Sequence, residues 1–334
     1  IIAMSEYKGI KGFQVQTRSE DPSPTEAQTG DFYYNSSTGQ FKTINSGGAP
    51  LGSWASGGAM NTTRAQTMAG GNATLAIVGG GGPPSGGTQS ETYNGTAWTE
   101  VNEINDSTRL NQGTGAYNSA ITVGGYTSTY INEAESWNGT SWTEIAEANV
   151  GRFQAGAAGA SATSGMFFGG EGPSPWTSHR DKTEVYDGSS WTEVNDLNTG
   201  RTQIAGCGIT TSALAAGGHP GSGYTDDVEL WDGSSWTDTT EMNTSREGRM
   251  GFGAVNTSAI VSGGRSPYIA STEFWNGSSW TEIADLATGR YNGSASGSST
   301  NGILQGGSTS GTGGSTTTEE WFADDFQIKT VTTS

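Results

Sequence analysis

The chain has 334 residues, with 33 acidic and 15 basic side chains and a net charge of −18. Nucleic-acid backbones are bound through clustered Lys and Arg, so this charge balance argues against a nucleic-acid partner. No apolar run reaches the roughly 18 residues of a membrane span, which argues against membrane insertion. The single cysteine, Cys207, excludes an intrachain disulfide, and its Gly- and Ala-rich surroundings predict a buried small hydrophobe.

The first 48 residues are predicted to form an N-terminal anchoring arm that contains a β-hairpin (1–48). In residues 30–42 a polar turn separates two aromatic-containing runs, Gly-Asp-Phe-Tyr-Tyr and Gly-Gln-Phe-Lys, which is typical of a hairpin. Met4 followed by Ser5 and Glu6 is interpreted as a translation start. Four apolar residues are too few for the core of a signal peptide, so we expect synthesis in the cytoplasm without secretion.

The remainder of the chain, residues 49–334, is built from a repeat whose period is 44 to 49 residues. The run Glu91-Thr-Tyr-Asn-Gly-Thr-Ala-Trp98 has near-copies that start at Glu135, Glu184, Glu229 and Glu273, and a degenerate copy that starts at Glu319. An arginine lies about ten residues after each of Trp54, Trp98, Trp142, Trp191, Trp236 and Trp280, at Arg64, Arg109, Arg152, Arg201, Arg246 and Arg290. A Gly-Gly pair follows each arginine, beginning at Gly79, Gly124, Gly169, Gly217, Gly263 and Gly306.

Each repeat is predicted to contain four short strands. The first is rich in Gly and Ala, the second ends in the double glycine, and the last two flank an Asn-Gly or Asp-Gly hairpin turn. Repeats of this length predict an all-β propeller, and six complete Arg-to-Trp units favour six blades. Seven candidates for the fourth strand leave seven blades as the alternative. We expect the Trp54 strand to complete the last blade.

The order of strand, Gly-Gly, Glu-x-Tyr/Trp-Asn/Asp-Gly, Trp and Arg resembles the kelch repeat, which builds four-stranded propeller blades. The resemblance covers about residues 50–330. Galactose oxidase shares the kelch-type propeller, but its activity needs copper and a tyrosine crosslinked to cysteine. Cys207 lies in a predicted strand of small residues, so the resemblance does not imply that activity here.

A second resemblance concerns the N-terminal arm. Residues 30–42 are similar to a recurring element of tailed-phage virion proteins, and kelch-like units after such an element resemble structural proteins of marine tailed phages. The residues that carry this resemblance are Met4 to Lys42 and the Trp-Thr-Glu, Arg and Gly-Gly repeats. It implies a tail- or capsid-associated virion protein whose arm binds other virion proteins, and it is compatible with a homo-oligomer.

The repeated charged and aromatic residues are expected to build the blades rather than an active site. Each repeat arginine is predicted to pair with a repeat glutamate and with backbone carbonyls between blades, and the tryptophans to pack between blades. The chain holds two histidines, His179 and His219, which excludes three-His metal sites and repeated histidine-based triads. We therefore predict no enzyme activity, no cofactor and no metal.

A specific binding site is expected where the repeats differ, in the loops after the double glycines, because identical positions serve the fold. The loop from Gly170 to Glu184 is the longest, and we hypothesise that trimming residues 172–181 weakens attachment. The candidate ligand-binding residues of this loop face are Tyr126, Tyr130, Trp176, His179, Arg180, His219, Tyr224, Arg265 and Tyr268.

The function expected from the sequence is therefore attachment of a virion to a host-surface glycan or protein through these loops. A cellular kelch-like scaffold that binds a protein partner is the first alternative. A propeller enzyme that acts on glycans is the second.

Overall fold

The computed structural model describes residues 15–22, 30–82, 87–107, 111–173, 181–248, 250–265, 268–310 and 313–331, and leaves out the side chains of 45–51 and 324–330. Within these residues every regular element is a β-strand, as the sequence predicts. The chain divides into two compact units, residues 1–51 with 324–334, and residues 52–323. Residues 324–334, which the sequence analysis assigned to the propeller, thus group with the N-terminal arm.

The N-terminal unit contains a hairpin where the sequence predicts one. Its strands are β1 (Gln16–Arg18), β2 (Phe32–Asn35) and the first part of β3 (Gln40–Ser56). β2 and β3 pair antiparallel from Phe32 opposite Thr43 to Asn35 opposite Gln40, and β1 lies parallel to β2. The Asp21 carboxylate accepts hydrogen bonds from Tyr33 (2.8 Å) and from Lys42 (2.7 Å), which joins the segment after β1 to the hairpin.

The second unit contains six sheets among the described residues. Sheet 1 comprises β4 (Met68–Gly71), β5 (Ala76–Gly79), β6 (Ser90–Tyr93) and β7 (Trp98–Val101). Sheet 2 comprises β8 (Gln112–Ala116), β9 (Ser119–Tyr126), β10 (Tyr130–Trp137) and β11 (Trp142–Glu144). Sheet 3 comprises β12 (Gly156–Ser161), β13 (Ser164–Phe168), β14 (Thr183–Tyr186) and β15 (Trp191–Val194).

The other three sheets follow the same order. Sheet 4 comprises β16 (Ala205–Ile209), β17 (Ser212–Ala216), β18 (Val228–Trp231) and β19 (Trp236–Asp238). Sheet 5 comprises β20 (Gly251–Val255), β21 (Ser258–Ser262), β22 (Thr272–Trp275) and β23 (Trp280–Ile283). Sheet 6 comprises β24 (Ser294–Ser298), β25 (Asn301–Gln305), the start of β26 (Thr318–Thr330) and residues 52–56 of β3.

The sheets stand around one axis, so the unit is a β-propeller. The first strand of each sheet contacts the first strand of the next, and β24 of sheet 6 contacts β4 of sheet 1. Small residues permit this approach: a Cβ on Gly206 would lie 2.7 Å from the backbone nitrogen of Ala157 in the neighbouring sheet. The Gly- and Ala-rich composition of the first strands is thus a steric requirement of the axis.

Tryptophans of the fourth strands pack between neighbouring sheets, as predicted. Trp142 of sheet 2 donates its indole N–H to Ser90 Oγ of sheet 1 at 3.0 Å. Trp236 of sheet 4 does the same to Thr183 Oγ1 of sheet 3 at 3.0 Å. Each indole therefore fills the space between two sheets and satisfies its one donor there.

The Trp54 strand completes sheet 6, which confirms the predicted closure of the ring. Residues 52–56 lie beside β26, and the Trp54 ring lies 5.4 Å from Trp321 of that strand. It also meets Phe252 of sheet 5 edge-on at 5.9 Å. The strand from the start of the unit is thus joined to the last sheet by hydrogen bonds and aromatic packing.

We predict that Trp54→Ala weakens this closure and lowers the free energy of unfolding by about 2–3 kcal/mol, somewhat below the usual cost for a fully buried tryptophan. Phe322→Ala is the matched control, since Phe322 lies on the neighbouring strand but is 43% exposed, and it should change stability by less than about 0.5 kcal/mol. Urea unfolding of both variants measures the difference. Equal effects would show that the ring closes without help from Trp54.

Candidate functional site

The two ends of the sheets differ in chemistry. Because neighbouring strands are antiparallel, the loops after the second and fourth strands lie at one end of each sheet, and the turns after the first and third lie at the other. The turns after the third strands are nearly alike: in the turn at residues 94–97, Asn94 Oδ1 accepts the backbone N–H groups of Thr96 and Ala97 at 3.0 and 2.9 Å. The end that carries the loops after second and fourth strands is here called the variable face.

The repeat arginines and glutamates form buried ion pairs under the variable face. The N···O distances lie between 2.5 and 2.9 Å in the five pairs Arg64–Glu91, Arg152–Glu184, Arg201–Glu229, Arg246–Glu273 and Arg290–Glu319. Arg109, the expected partner of Glu135, lies outside the described residues. Burial lowers the pKa of Arg201 and raises that of Glu229, as desolvation of a charge requires.

Sheet 3 shows how such a pair is satisfied. Arg152 donates to the carbonyls of Gly169 and Lys182, at 2.9 and 2.6 Å, as well as to Glu184. The other oxygen of Glu184 accepts the backbone and side-chain N–H groups of Asn149 at 2.6 and 2.7 Å. The repeated charges are therefore occupied within the framework.

The ion pair and the bridge between sheets are separate contacts. Each ion pair joins residues of one repeat, whereas the sequence analysis expected pairing between blades. The link to the neighbouring sheet is the arginine's own carbonyl: Arg152 O accepts the N–H of Gly125 in sheet 2 at 2.8 Å, and Arg201 O accepts that of Gly170 in sheet 3 at 2.9 Å.

The residue after each arginine lies beside the residue after the double glycine of the same repeat. Single β-bridges join Phe153 with Glu171, Thr202 with His219, Glu247 with Arg265, and Tyr291 with Ser308. Two positions that differ in every described repeat are thus brought side by side on the variable face, so that side chains of unlike chemistry meet there.

One aromatic group lies where sheets 2 and 3 meet and is here called the Tyr126 cluster (Tyr126, Tyr130, Phe153). The Tyr126 ring lies 5.7 Å from Tyr130 and 5.3 Å from Phe153, and Tyr130 lies 5.6 Å from Phe153. Burial raises the pKa of Tyr130, and the nearby Glu171 carboxylate raises it further. The three rings are half-buried and contribute to the variable face.

A second group spans sheets 4, 5 and 6 and is here called the Glu247 cluster (Gln203, His219, Tyr224, Glu247, Arg265, Tyr268, Tyr291). At its centre the Glu247 side chain is 3% exposed, whereas its neighbour Arg265 is 53% exposed, with 3.9 Å between Nη1 and Oε1. Gln203 Nε2 donates to Glu247 Oε2 at 2.9 Å.

Aromatic rings surround this charged pair. The Arg265 guanidinium lies 5.4 Å from the centre of the Tyr291 ring, which itself lies 5.4 Å from Tyr268. His219 lies 6.1 Å from Tyr224 and accepts the Gly221 N–H at Nδ1 (3.2 Å), which leaves the proton of the neutral imidazole on Nε2.

The electrostatics of Glu247 reflect its burial. Desolvation raises the pKa of its carboxyl, and the nearby His219 ring and Arg265 guanidinium oppose that shift only in part. A carboxylate with one short hydrogen bond and one loose ion pair retains the capacity to accept further donors. The cluster can therefore bind a ligand that brings hydrogen-bond donors to the variable face.

The structure assigns most of the predicted site residues to these two groups. Tyr126 and Tyr130 lie in the first, and His219, Tyr224, Arg265 and Tyr268 in the second. The remaining three, Trp176, His179 and Arg180, lie outside the described residues, as does most of the predicted recognition loop.

Sequence reasoning missed Phe153, Glu247 and Tyr291, because it searched only the loops after the double glycines. A signal was present in the sequence. The position after the arginine carries Ala65, Leu110, Phe153, Thr202, Glu247 and Tyr291, so it differs between repeats as the loops do.

A cavity of about 350 Å³ lies on the propeller axis, lined by the first strands of all six sheets. Its walls are mostly Gly and Ala, and Cys207 is the one ionisable residue among the lining side chains that the structure describes. Burial raises the pKa of Cys207 to about 12, so its thiol stays protonated at neutral pH, in agreement with the predicted small buried hydrophobe. The axial cavity thus offers little to acid–base chemistry.

The described residues contain no group of three or more His, Cys, Asp or Glu side chains arranged to hold a metal ion. No helix among them is long and apolar enough to cross a membrane.

Comparison with known proteins gives the fold. No protein-family model matches the sequence, and no curated protein does. A solved structure described as "Structure of YjhT" superposes with a TM-score of 0.65 at 14% sequence identity, over 82% of this chain and 99% of its own length. At that identity the similarity supports the β-propeller fold alone.

The framework pairs and the Glu247 cluster should respond differently to loss of an arginine. We predict that Arg201→Ala leaves Glu229 buried without its partner and lowers the free energy of unfolding by about 3–5 kcal/mol. Arg265→Ala, which removes an exposed side chain in a loose pair, should cost less than about 0.5 kcal/mol. Thermal melts compare the two. A small effect of Arg201→Ala would show that its carboxylate partner is hydrated or protonated.

A parallel comparison of the carboxylates tests whether Glu247 is needed by the fold. Glu247→Gln keeps the side-chain volume and removes a buried charge with few hydrogen bonds, so we expect stability to stay equal or rise by about 1 kcal/mol. Glu229→Gln removes the charge that Arg201 faces and should cost about 3 kcal/mol. Chemical unfolding at neutral pH measures the stability of both variants. If Glu247→Gln lowered the free energy of unfolding as much as Glu229→Gln does, Glu247 would be a structural residue like Glu229.

Proposed function

We propose that the chain is a non-catalytic virion protein whose six-bladed, kelch-type propeller presents the variable face to a host-cell surface for attachment. The observation that carries this proposal is the gathering of unlike aromatic and charged side chains into the Tyr126 and Glu247 clusters. The charges that repeat are meanwhile occupied in buried pairs. Aromatic side chains and arginines supported by a rigid framework are typical of recognition surfaces.

The blade count in this proposal rests on the arrangement of the sheets. The described residues form six sheets, each sheet holds one Arg-to-Trp repeat, and the six first strands contact one another around the axis. A closed ring gives the clusters fixed positions, and a preformed surface loses little conformational entropy when it binds.

The role proposed for the N-terminal unit is anchorage to other virion proteins. Its hairpin is the segment similar to an element of tailed-phage virion proteins, and it belongs to a compact unit distinct from the propeller. The chain would then be made in the host cytoplasm and function in the virion.

Two measurements test the proposal. Mass spectrometry of purified particles should detect the chain. The purified protein should bind cells of the host on which those particles grow, and Tyr268→Ala should reduce that binding about tenfold, as loss of an interface aromatic does. Leu75→Ala is the matched control, because Leu75 is 38% exposed and lies in the turn between β4 and β5 at the opposite face.

Absence of the chain from particles would overturn the virion assignment, and capture of one defined cellular protein would then favour a scaffold. Equal binding by Tyr268→Ala and the unmodified protein would remove the Glu247 cluster from the attachment surface. Equal losses in Tyr268→Ala and Leu75→Ala would show that binding does not depend on the variable face.

A further inference from the structure

We propose that the Glu247 cluster is a binding site for a neutral saccharide, in which Glu247 and Arg265 bind neighbouring hydroxyl groups and the tyrosines contact the sugar ring. This inference rests on the proposed attachment function and specifies its ligand. Glu247 differs from the other buried glutamates in its position and in its hydrogen bonds.

The framework glutamates have their acceptor capacity used. Glu273 accepts the backbone and side-chain N–H groups of Asn243, both at 2.8 Å, and pairs with Arg246 at 2.6 Å. Among the described residues, Glu247 accepts one side-chain hydrogen bond, from Gln203, and it lies 3.9 Å from Arg265, beyond hydrogen-bond distance. Burial of a charge costs free energy unless hydrogen bonds compensate it. A bound hydroxyl group that donates to Glu247 would supply a hydrogen bond that the protein itself does not provide.

The neighbouring side chains supply donors. Arg265 is 53% exposed, and its contacts are the loose ion pair and the face of Tyr291. Its guanidinium therefore retains N–H groups that can bind an incoming oxygen. His219 accepts at Nδ1 and adds a donor at Nε2. An acceptor and two donors thus lie together, and a hydroxyl group is the ligand that both donates and accepts.

The charges of the site select against ionic ligands. The buried Glu247 carboxylate disfavours a sulfate, phosphate or carboxylate, as does the net charge of −18 on the chain. The Arg265 cation disfavours an ammonium ion in the space that the tyrosines border. A neutral ligand with two neighbouring hydroxyl groups can donate a hydrogen bond to the Glu247 carboxylate and accept one from the Arg265 guanidinium, and it adds no charge of its own.

The aromatic rings give the site an apolar side. Tyr268 and Tyr291 lie 5.4 Å apart with their planes 52° from parallel, and both are half-buried. Ring faces of this kind pack against the C–H groups of a pyranose, whose hydroxyls point outward from the ring edge. Apolar walls with a few convergent polar groups are typical of small-ligand sites.

The test uses the full-length chain on an array of neutral hexosides, N-acetylhexosamines, sialylated glycans and sulfated glycans, followed by calorimetric titration with the best-bound saccharide. We expect binding to neutral saccharides. Glu247→Gln and Arg265→Ala should each raise Kd about tenfold or more, because a hydrogen bond to a charged group is lost. Glu144→Gln is the matched control, since Glu144 is exposed on the outer strand of sheet 2, and it should bind as the unmodified chain does.

The possible outcomes separate this inference from the proposed function. If the chain attaches to host cells but binds no saccharide, or binds only anionic ones, the inference is overturned and attachment stands. If Glu247→Gln binds saccharide as tightly as the unmodified chain, the site lies elsewhere. If neither cells nor saccharides are bound, the attachment function itself fails. Proton NMR of the recovered sugar should show it unchanged, and a new product would overturn the non-catalytic assignment.

Discussion

The propeller depends on one buried arginine in each described repeat, which pairs with a glutamate. Arg64, Arg152, Arg246 and Arg290 also donate to the carbonyl of a glycine with left-handed φ. The sequence predicts that the first Gly-Gly pair starts at Gly79, but Gly79 ends β5 and the turn begins at Gly80. The first glycine of each turn has φ between 62° and 67°, at Gly80, Gly124, Gly169, Gly217, Gly263 and Gly306. A Cβ on Gly124, Gly217 or Gly306 would lie 2.5 Å from the carbonyl oxygen of an arginine in the neighbouring repeat, so these positions exclude a side chain. The arginine's own carbonyl then binds the neighbouring sheet. One residue therefore fixes strand, turn and adjacent sheet together, which explains the constant spacing of Arg, Gly-Gly and Glu.

The same constraint determines where variation is tolerated. A buried ion pair is stable only when every donor and acceptor is nearly satisfied, so residues that contact the pair are restricted. The residue after the arginine and the residue after the double glycine lie just outside it, paired as β-bridges at the face. The backbone of these two residues is held rigid by the neighbouring ion pair, but their side chains do not take part in that pair. The Glu247 cluster is built from such positions, and this is why it can be specific without disturbing the fold.

Most of the fold could be predicted from the sequence because its signals are local or repeat. Strands, hairpin turns and the closing strand at Trp54 follow from spacing, and six occurrences of each motif reinforce one another. The site was predicted less completely. Arg265 and His219 lie in variable loops. Glu247 reaches Arg265 through a bridge between positions 18 residues apart (265 − 247), and the Tyr291 ring reaches Arg265 from the next repeat, which no local pattern shows. The assignment of residues 324–334 to the N-terminal unit likewise depends on contacts distant in sequence.

The chemistry of the position after the arginine argues that Glu247 serves binding rather than stability. Elsewhere the same position carries Ala65, Leu110, Phe153, Thr202 and Tyr291, so the framework accepts small, aliphatic, aromatic and hydroxyl side chains there. None of these brings the desolvation cost of a carboxylate with unused acceptor capacity. A buried acid that the fold does not require, beside an exposed cation and two tyrosines, lowers stability in the unbound protein, and a ligand that satisfies it recovers that energy on binding. The cost of Glu247 in the free chain is therefore the physical origin of the selectivity we propose.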